Sequence, residues 1–378
     1  MRQAYQSYDY NRALSDAEGE IKGPDVDRLL ALLDKGMILH AAGRYQESIG
    51  VLADADRLSQ QLDVVSISEE AKTLLSNERE RAYRGEDFEK LMISVLQALN
   101  YAELGKDEDA LVEVRRVNER LRKMIVDEKK PYEQLAIARY LGGVFWEDQG
   151  ELDSAFIDYQ AAEKLQPHLG PLAEPLIRLA RETDRDQAYR ELKQKYPEVQ
   201  DQPLGKDEGQ LVVVVEAGLS PIKISAQQRY PGSVQLFDVP KYQDRWPTRR
   251  ARVQVDQKEQ QATTVTSLGA VAKIHLDDRV GRMIAKAIAS AAVKAGVAVG
   301  VGEATKSKEL GLLTFLLLNL NNAADRRSWL SLPAEFQLAR FRLPAGRYRV
   351  SVQLDGAPIQ QELEVGRRRV AVAVFRRY

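Results

Sequence analysis

Cysteine is absent from the 378 residues, which excludes disulfides, thiolate zinc sites and a cysteine nucleophile. Histidine is scarce. Of His40, His168 and His275, only His275 has carboxylates close by in sequence, Asp277 and Asp278, and an Asp pair in that place reads as a helix N-cap. The run Gly296 to Ser307 lacks the Gly-Lys-Ser/Thr of a phosphate loop, because Glu303 follows its last glycine; neither GxSxG nor HExxH occurs. No catalytic residue, metal site or cofactor is therefore expected. Charge of one sign is also lacking: 55 Lys+Arg against 56 Asp+Glu leave −1, so no global field draws nucleic acid. The chain opens Met1-Arg-Gln-Ala-Tyr-Gln with no apolar leader. That fits a cytoplasmic protein if Met1 is native, or one whose signal was removed.

What is present is a repeat. Gly43-Arg-Tyr-Gln-Glu-Ser-Ile49 precedes Leu52 and Ala55, Gly105-Lys-Asp-Glu-Asp-Ala-Leu111 precedes Val114 and Val117, and Gly150-Glu-Leu-Asp-Ser-Ala-Phe156 precedes Tyr159 and Ala162. Upstream at matched distances stand Gly36 and Leu39, Ala98 and Tyr101, Gly143 and Trp146. Small residues at 36, 98 and 143 let one helix approach the next, and the later glycines permit the turn between them. This pattern resembles the tetratricopeptide repeat. Its turn glycines stand 62 and 45 residues apart, from 43 to 105 and from 105 to 150, not about 34. Extra helix is thus expected between units, notably Ser66 to Tyr83, with a capping helical pair over Leu172 to Tyr196.

From Gln200 the pattern shifts to polar linker and then to strands. Leu211-Val-Val-Val-Val215 suits a strand buried on both faces. Shorter strands are expected at Ala251 to Val255 and Ala262 to Ser267, a helix starting at Asp277-Asp278, and alternating strands at Phe336 to Arg342, Arg347 to Leu354 and Arg369 to Phe375. The fold class is α+β and multidomain. An N-terminal all-α tetratricopeptide-like solenoid (1–199) is followed by a linker (200–208). A C-terminal α/β domain (209–378) has a mainly antiparallel sheet and an apolar helical hairpin within 279–320.

Three surfaces are candidates. The repeat resemblance implies a concave groove for polypeptide, lined by Met37, His40, Leu99, Glu103, Tyr140, Val144, Glu147 and Asp148. The Lys and Asn that grip a peptide carboxylate in chaperone-binding relatives are replaced, at those places, by Leu33 and Met37, Val95 and Leu99, Tyr140 and Val144. An apolar groove suits an amphipathic helix or an extended segment, or is filled by the chain's own helices. Met283 to Gly302 has the length to span a bilayer but holds Lys286 and Lys294, each costing about 2.5–3.5 kcal/mol near the midplane. Its small faces, with Ile288, Val293, Gly296, Gly300, Leu313 and Leu317, suit a core, an oligomer contact or a membrane surface. Finally, Arg340 to Tyr378 carries nine arginines against three acids. Arg340, Arg342, Arg347 and Arg349 are candidates for anion docking, or for the solvated face of a sheet.

The words Tyr83-Arg-Gly-Glu-Asp-Phe-Glu-Lys90 with Ala98-Leu-Asn-Tyr101, and Asp325-Arg-Arg-Ser-Trp329 with Leu332-Pro-Ala-Glu335, resemble a family of uncharacterised bacterial envelope lipoproteins. The resemblance implies a signal peptide, a lipidated cysteine upstream, and a periplasmic or outer-membrane address. It makes a role in envelope assembly the expected one, with other envelope proteins or lipoproteins, or further copies of the chain, as partners. The alternative expectation is a membrane-associating or pore-forming oligomeric subunit using 283–320.

Overall fold

Glycines 43, 105 and 150 turn the chain with φ of +73°, +66° and +81°, a region that a side chain would strain. Each turn closes the same way. Arg44 N–H returns to Leu39 O, Lys106 N–H to Tyr101 O and Glu151 N–H to Trp146 O, all at 2.9 Å, which caps the last carbonyls of the preceding helix. The computed structural model describes residues 1–69, 82–127, 135–229, 236–281 and 325–378. In it these turns join α3 (Arg28–Ala41) to α4 (Tyr45–Glu69), α5 (Asp87–Glu103) to α6 (Asp107–Arg122), and α7 (Ala136–Asp148) to α8 (Leu152–Leu165). Helices α1 (Arg2–Gln6) and α2 (Tyr10–Ile21) precede them, and α9 (Gly170–Glu182) and α10 (Asp186–Lys195) follow.

The small residues do the work expected of them. A Cβ on Gly36 would sit 2.5 Å from Leu52 Cδ2, and one on Gly143 would overlap the Tyr159 ring. Leu52 and Tyr159 are both fully buried, each burial contributing roughly 1.5–3 kcal/mol. Part of the expected extra helix is seen as the long run of α4 to Glu69; residues 70–81 lie outside the described set.

The strands form two stacked sheets and a hairpin. Sheet A has the order β10 (Val370–Arg377), β1 (Glu208–Ala217), β7 (Glu335–Pro344), β6 (Thr263–Ser267). Sheet C has the order β5 (Lys258–Gln261), β4 (Arg252–Val255), β8 (Gly346–Gln353), β9 (Ile359–Val365). The hairpin is β2 (Ile222–Arg229) with β3 (Leu236–Gln243). All pairings are antiparallel except β1 with β10, which run parallel from Gln210↔Val370 to Ala217↔Arg377.

Alternation splits sheet A into two working faces. Leu211, Val213, Val215, Phe341, Ala373 and Phe375 pack against Val253, Val255, Val350 and Val352 of sheet C. The intervening residues, Val212, Val214, Phe336, Leu338, Val370 and Val374, share a single core with α2, α3, α5 and α7. Strand β1 is buried on both sides, as its unbroken β-branched run predicts. The layers are therefore helices, sheet A and sheet C, and the first two have one hydrophobic core in common.

One expected element starts elsewhere. The helix placed at Asp277-Asp278 begins nine residues earlier and is helical over 268–281. Ser267 Oγ accepts from Ala270 N–H at 3.3 Å, so Ser267 caps it and the Asp pair lies inside. Leu268, Ala272 and Leu276 give that first stretch a buried i, i+4 face. The apolar segment 283–320, with Ile288, Val293, Gly296, Gly300, Leu313 and Leu317, lies outside the described residues. Among the described residues no helix is long and apolar enough to cross a membrane.

Candidate functional site

The concave face of the helical array is where the predicted groove residues meet, and the chain's own sheet A fills it. Met37, Leu99, Tyr140 and Val144 are each fully buried in the shared core. The four polar groove residues bind strands. Asp148 Oδ1 accepts from Val370 N–H at 2.7 Å, and Glu103 Oε1 accepts from Val374 N–H at 2.6 Å. Two carboxylates thus take backbone donors on the outer edge of β10, an edge otherwise open to another strand. Asp148 also accepts from Arg369 Nε at 2.8 Å. The expectation of a groove open to a partner is corrected: even-numbered residues of β1, β7 and β10 face the helices and occupy it.

Glu147 anchors the densest cluster. It accepts from Arg340 Nη2 at 2.6 Å, from Tyr159 OH at 2.8 Å and from Arg178, while Arg340 Nε donates to Gln210 Oε1 at 2.5 Å. Burial alone would raise the Glu147 carboxyl, but the Arg340 and Arg178 guanidiniums outweigh it and hold it at about 2. Arg340, expected on an exposed face, is 8% exposed, because its strand position points to the helices. Arg342 pairs with Glu208, its Nε donating at 2.8 Å. Arg347 and Arg349 do stand in solvent, matched by Glu364 at 3.9 Å and Glu362 at 3.1 Å. These four arginines do not form a free cationic face.

His40 is held from both ring nitrogens. The Ser48 hydroxyl donates to Gly36 O at 2.7 Å and so accepts from Asn100 Nδ2 at 3.0 Å. That turns Asn100 Oδ1 toward His40 Nδ1, 2.6 Å away, and His40 Nε2 lies 3.0 Å from Glu216 Oε2 on β1. Both nitrogens face acceptors, an arrangement that favours the doubly protonated ring. Burial pulls its pKa down, but Glu216, Asn100 and Glu103 outweigh burial and raise it.

A second interlock closes the other end, and reading the sequence missed it. Glu89 takes Trp329 N–H at 2.6 Å and the Tyr83 hydroxyl; Trp329 Nε1 donates to Ser331 Oγ at 2.9 Å, which donates to Asp34 Oδ1 at 2.6 Å. Glu86 receives Lys223 and Arg279, the latter at 2.8 Å. The two words that carry the envelope-lipoprotein resemblance thus touch each other across the fold. The available signal was a polar residue amid apolar helix: Asp34 within Leu29–Leu39, Asn100 within α5, Arg178 within α9.

His275 is buried with its ring 6.1 Å from that of Phe88, and Asp277 on the same helix is exposed. Among the described residues no group of three His, Asp or Glu is placed to hold a metal. An open polar depression of about 450 Å³ lies on the outer face of sheet C, between Gln254, Asp256, Arg347, Arg349, Gln360 and Glu362.

No protein-family model matches the chain, and no curated protein does. Solved structures of MamA overlay its helical part loosely. One from MSR-1 is 14% identical with a TM-score of 0.32, over 52% of this chain and 90% of that one. Two from AMB-1 are 19% and 14% identical with TM-scores of 0.24 and 0.28, over 46% and 52% of this chain and 91% and 99% of theirs.

Proposed function

We propose that the protein is a non-catalytic, protein-binding scaffold in the assembly or stabilisation of a bacterial cell-envelope complex. The observation that carries this is the construction of the groove: paired helices hold extended polypeptide through side-chain carboxylates on backbone donors. Glu147 and Asp148 are in addition matched by Arg340, Arg178 and Arg369 within the fold. The envelope address rests on the family resemblance.

With the concave side occupied by the chain itself, the partner surface is the outer face of the second helix of each pair. Val112 and Ile157 stand seven places after their turn glycines, Gly105 and Gly150, and are 49% and 56% exposed. Two exposed apolar side chains at matched repeat positions are the proposed contacts for another protein. The test is co-purification from envelope extract with the full chain as bait. A partner retained by the wild type and lost with Val112→Arg and Ile157→Arg supports the reading, since such surface changes move stability by only about 0.5 kcal/mol. Recovery of no specific protein would sink it.

The second reading is a membrane-associating or pore-forming subunit acting through 283–320. It is favoured by that run's sequence, which has no acidic residue from Met283 to Gly302. Flotation with vesicles that disappears when 283–320 is replaced by a polar linker would support it.

A further inference from the structure

Trp246 is 66% exposed, more than any other large apolar side chain among the described residues. The loop that carries it is braced. Arg245 Nη2 donates to Leu330 O at 2.9 Å, Gln337 Nε2 donates to Arg249 O at 2.7 Å, and Ala251 N–H donates to Gln337 Oε1 at 2.7 Å. The indole is thus held out in water by a backbone fixed between β3 and β4, with Pro247 next in the chain to stiffen it further. Beside it runs the helix 268–281, tied to the loop by Lys273 Nζ on Asp244 at 2.5 Å. The residue after that lysine, Ile274, is 44% exposed. Scattered apolar side chains on a surface are ordinary; an indole held out on a loop braced at several points is less so.

The loop is also cationic. Residues 241–252 contain Lys241, Arg245, Arg249, Arg250 and Arg252 against the single acid Asp244, on a chain that is otherwise balanced. Arg249 meets Asp355 at 3.2 Å and Arg252 meets Glu259 at 3.4 Å. Both pairs are exposed, so neither is worth more than about 1 kcal/mol and an anion of higher charge density can replace the acid. Arg245 has no carboxylate partner among the described residues. Burial, and then the like charge of Arg2, push its pKa down from the ordinary arginine value, with Asp34 opposing them.

An amphipathic ring among guanidiniums fits the boundary of an anionic bilayer: the indole enters the headgroup level and the arginines meet phosphate oxygens in pairs. We propose that the Trp246 loop is a docking surface for anionic phospholipid. This goes beyond the scaffold reading and does not depend on 283–320. An acidic protein is the other occupant that this chemistry admits, and the vesicle experiment separates the two.

The full chain supplies its own probe. Trp329 is fully buried and Trp146 lies under the Arg115 guanidinium, 4.4 Å from its ring centroid, so a change of indole emission on adding vesicles reports Trp246. Vesicles of phosphatidylcholine with phosphatidylglycerol should shift the emission to shorter wavelength and sediment the protein; phosphatidylcholine alone should do neither, and high salt should reverse both. Trp246→Ser and the double variant Arg249→Gln/Arg250→Gln should each weaken sedimentation by roughly tenfold or more at unchanged melting temperature. Two results overturn the proposal. One is a wild type that ignores anionic vesicles. The other is variants that bind them as well as the wild type, which would place the membrane contact elsewhere in the chain.

Discussion

Glu216, and after it Asn100, favour the charged form of His40, and Ser48 leaves the Asn100 amide only one orientation. A folded-state pKa raised above 6.5 contributes stability that is complete below that value and lost as pH rises through the raised one. The His40 ring should therefore stay protonated above its ordinary titration, which the imidazole proton shifts in an NMR pH series will show; an ordinary titration would contradict the Asn100 orientation. Asp34 is the opposite case. Its Oδ2 is buried without a hydrogen-bond partner, and burial, opposed by Ser331, raises its carboxyl from 3.8 to about 6. A carboxyl shifted upward favours folding below 3.8 and loses that contribution as pH climbs to about 6. Asp34→Asn should accordingly stabilise the protein by about 1–3 kcal/mol near neutral pH and by nothing near pH 4. Urea unfolding at the two pH values measures this, and equal effects at both would contradict it.

At the level of elements, the contacts between paired helices are the most exacting. Gly143→Ala sets a methyl against the Tyr159 ring, whose hydroxyl is itself fixed to Glu147 and Arg340. A loss of about 1–3 kcal/mol is expected, because the ring has no room to move. Gly50→Ala, on the exposed side of α4 with nothing within 4 Å, should instead add about 0.5–1 kcal/mol. Thermal melts of the two variants check the pair, and the same sign for both would refute the packing argument. Gly36, Gly143, the β-branched run Leu211–Val215 and the alternation of β7, β8 and β10 were legible because each follows from a local period or backbone need. The helix at 268–281 was misplaced because its cap is a lone Ser267 while a more conspicuous Asp pair stands ten residues on. The hairpin β2–β3 was missed because Gln227, Gln228 and Arg229 break any apolar alternation. The groove was the deeper miss. Met37, Leu99 and Val144 signal an apolar surface, but nothing local says that strands made a hundred or more residues later will lie upon it.

Across the molecule, the shared core and the interlocks at His40, Glu147 and Glu89 tie the helices to the sheets, and unfolding as one unit is the expected outcome. Helix ellipticity and Trp329 fluorescence should lose their native values in a single coincident urea transition, and two separated midpoints would show independent domains. Glu147→Gln should lower that one transition by about 3–5 kcal/mol, since it strips Arg340 and Arg178 of their shared buried counter-charge. A drop confined to one of the two signals would contradict the common core. The parallel pairing of β1 with β10 has a further consequence for synthesis. Gln210 must wait for Val370, so on the ribosome the helices stay without the sheet that completes their core, and Glu103 and Asp148 without their strand donors, for the time taken to translate everything between. During that interval the nascent chain offers an unoccupied site for any extended segment, and a chaperone, or a neighbouring polysome, has its opportunity then.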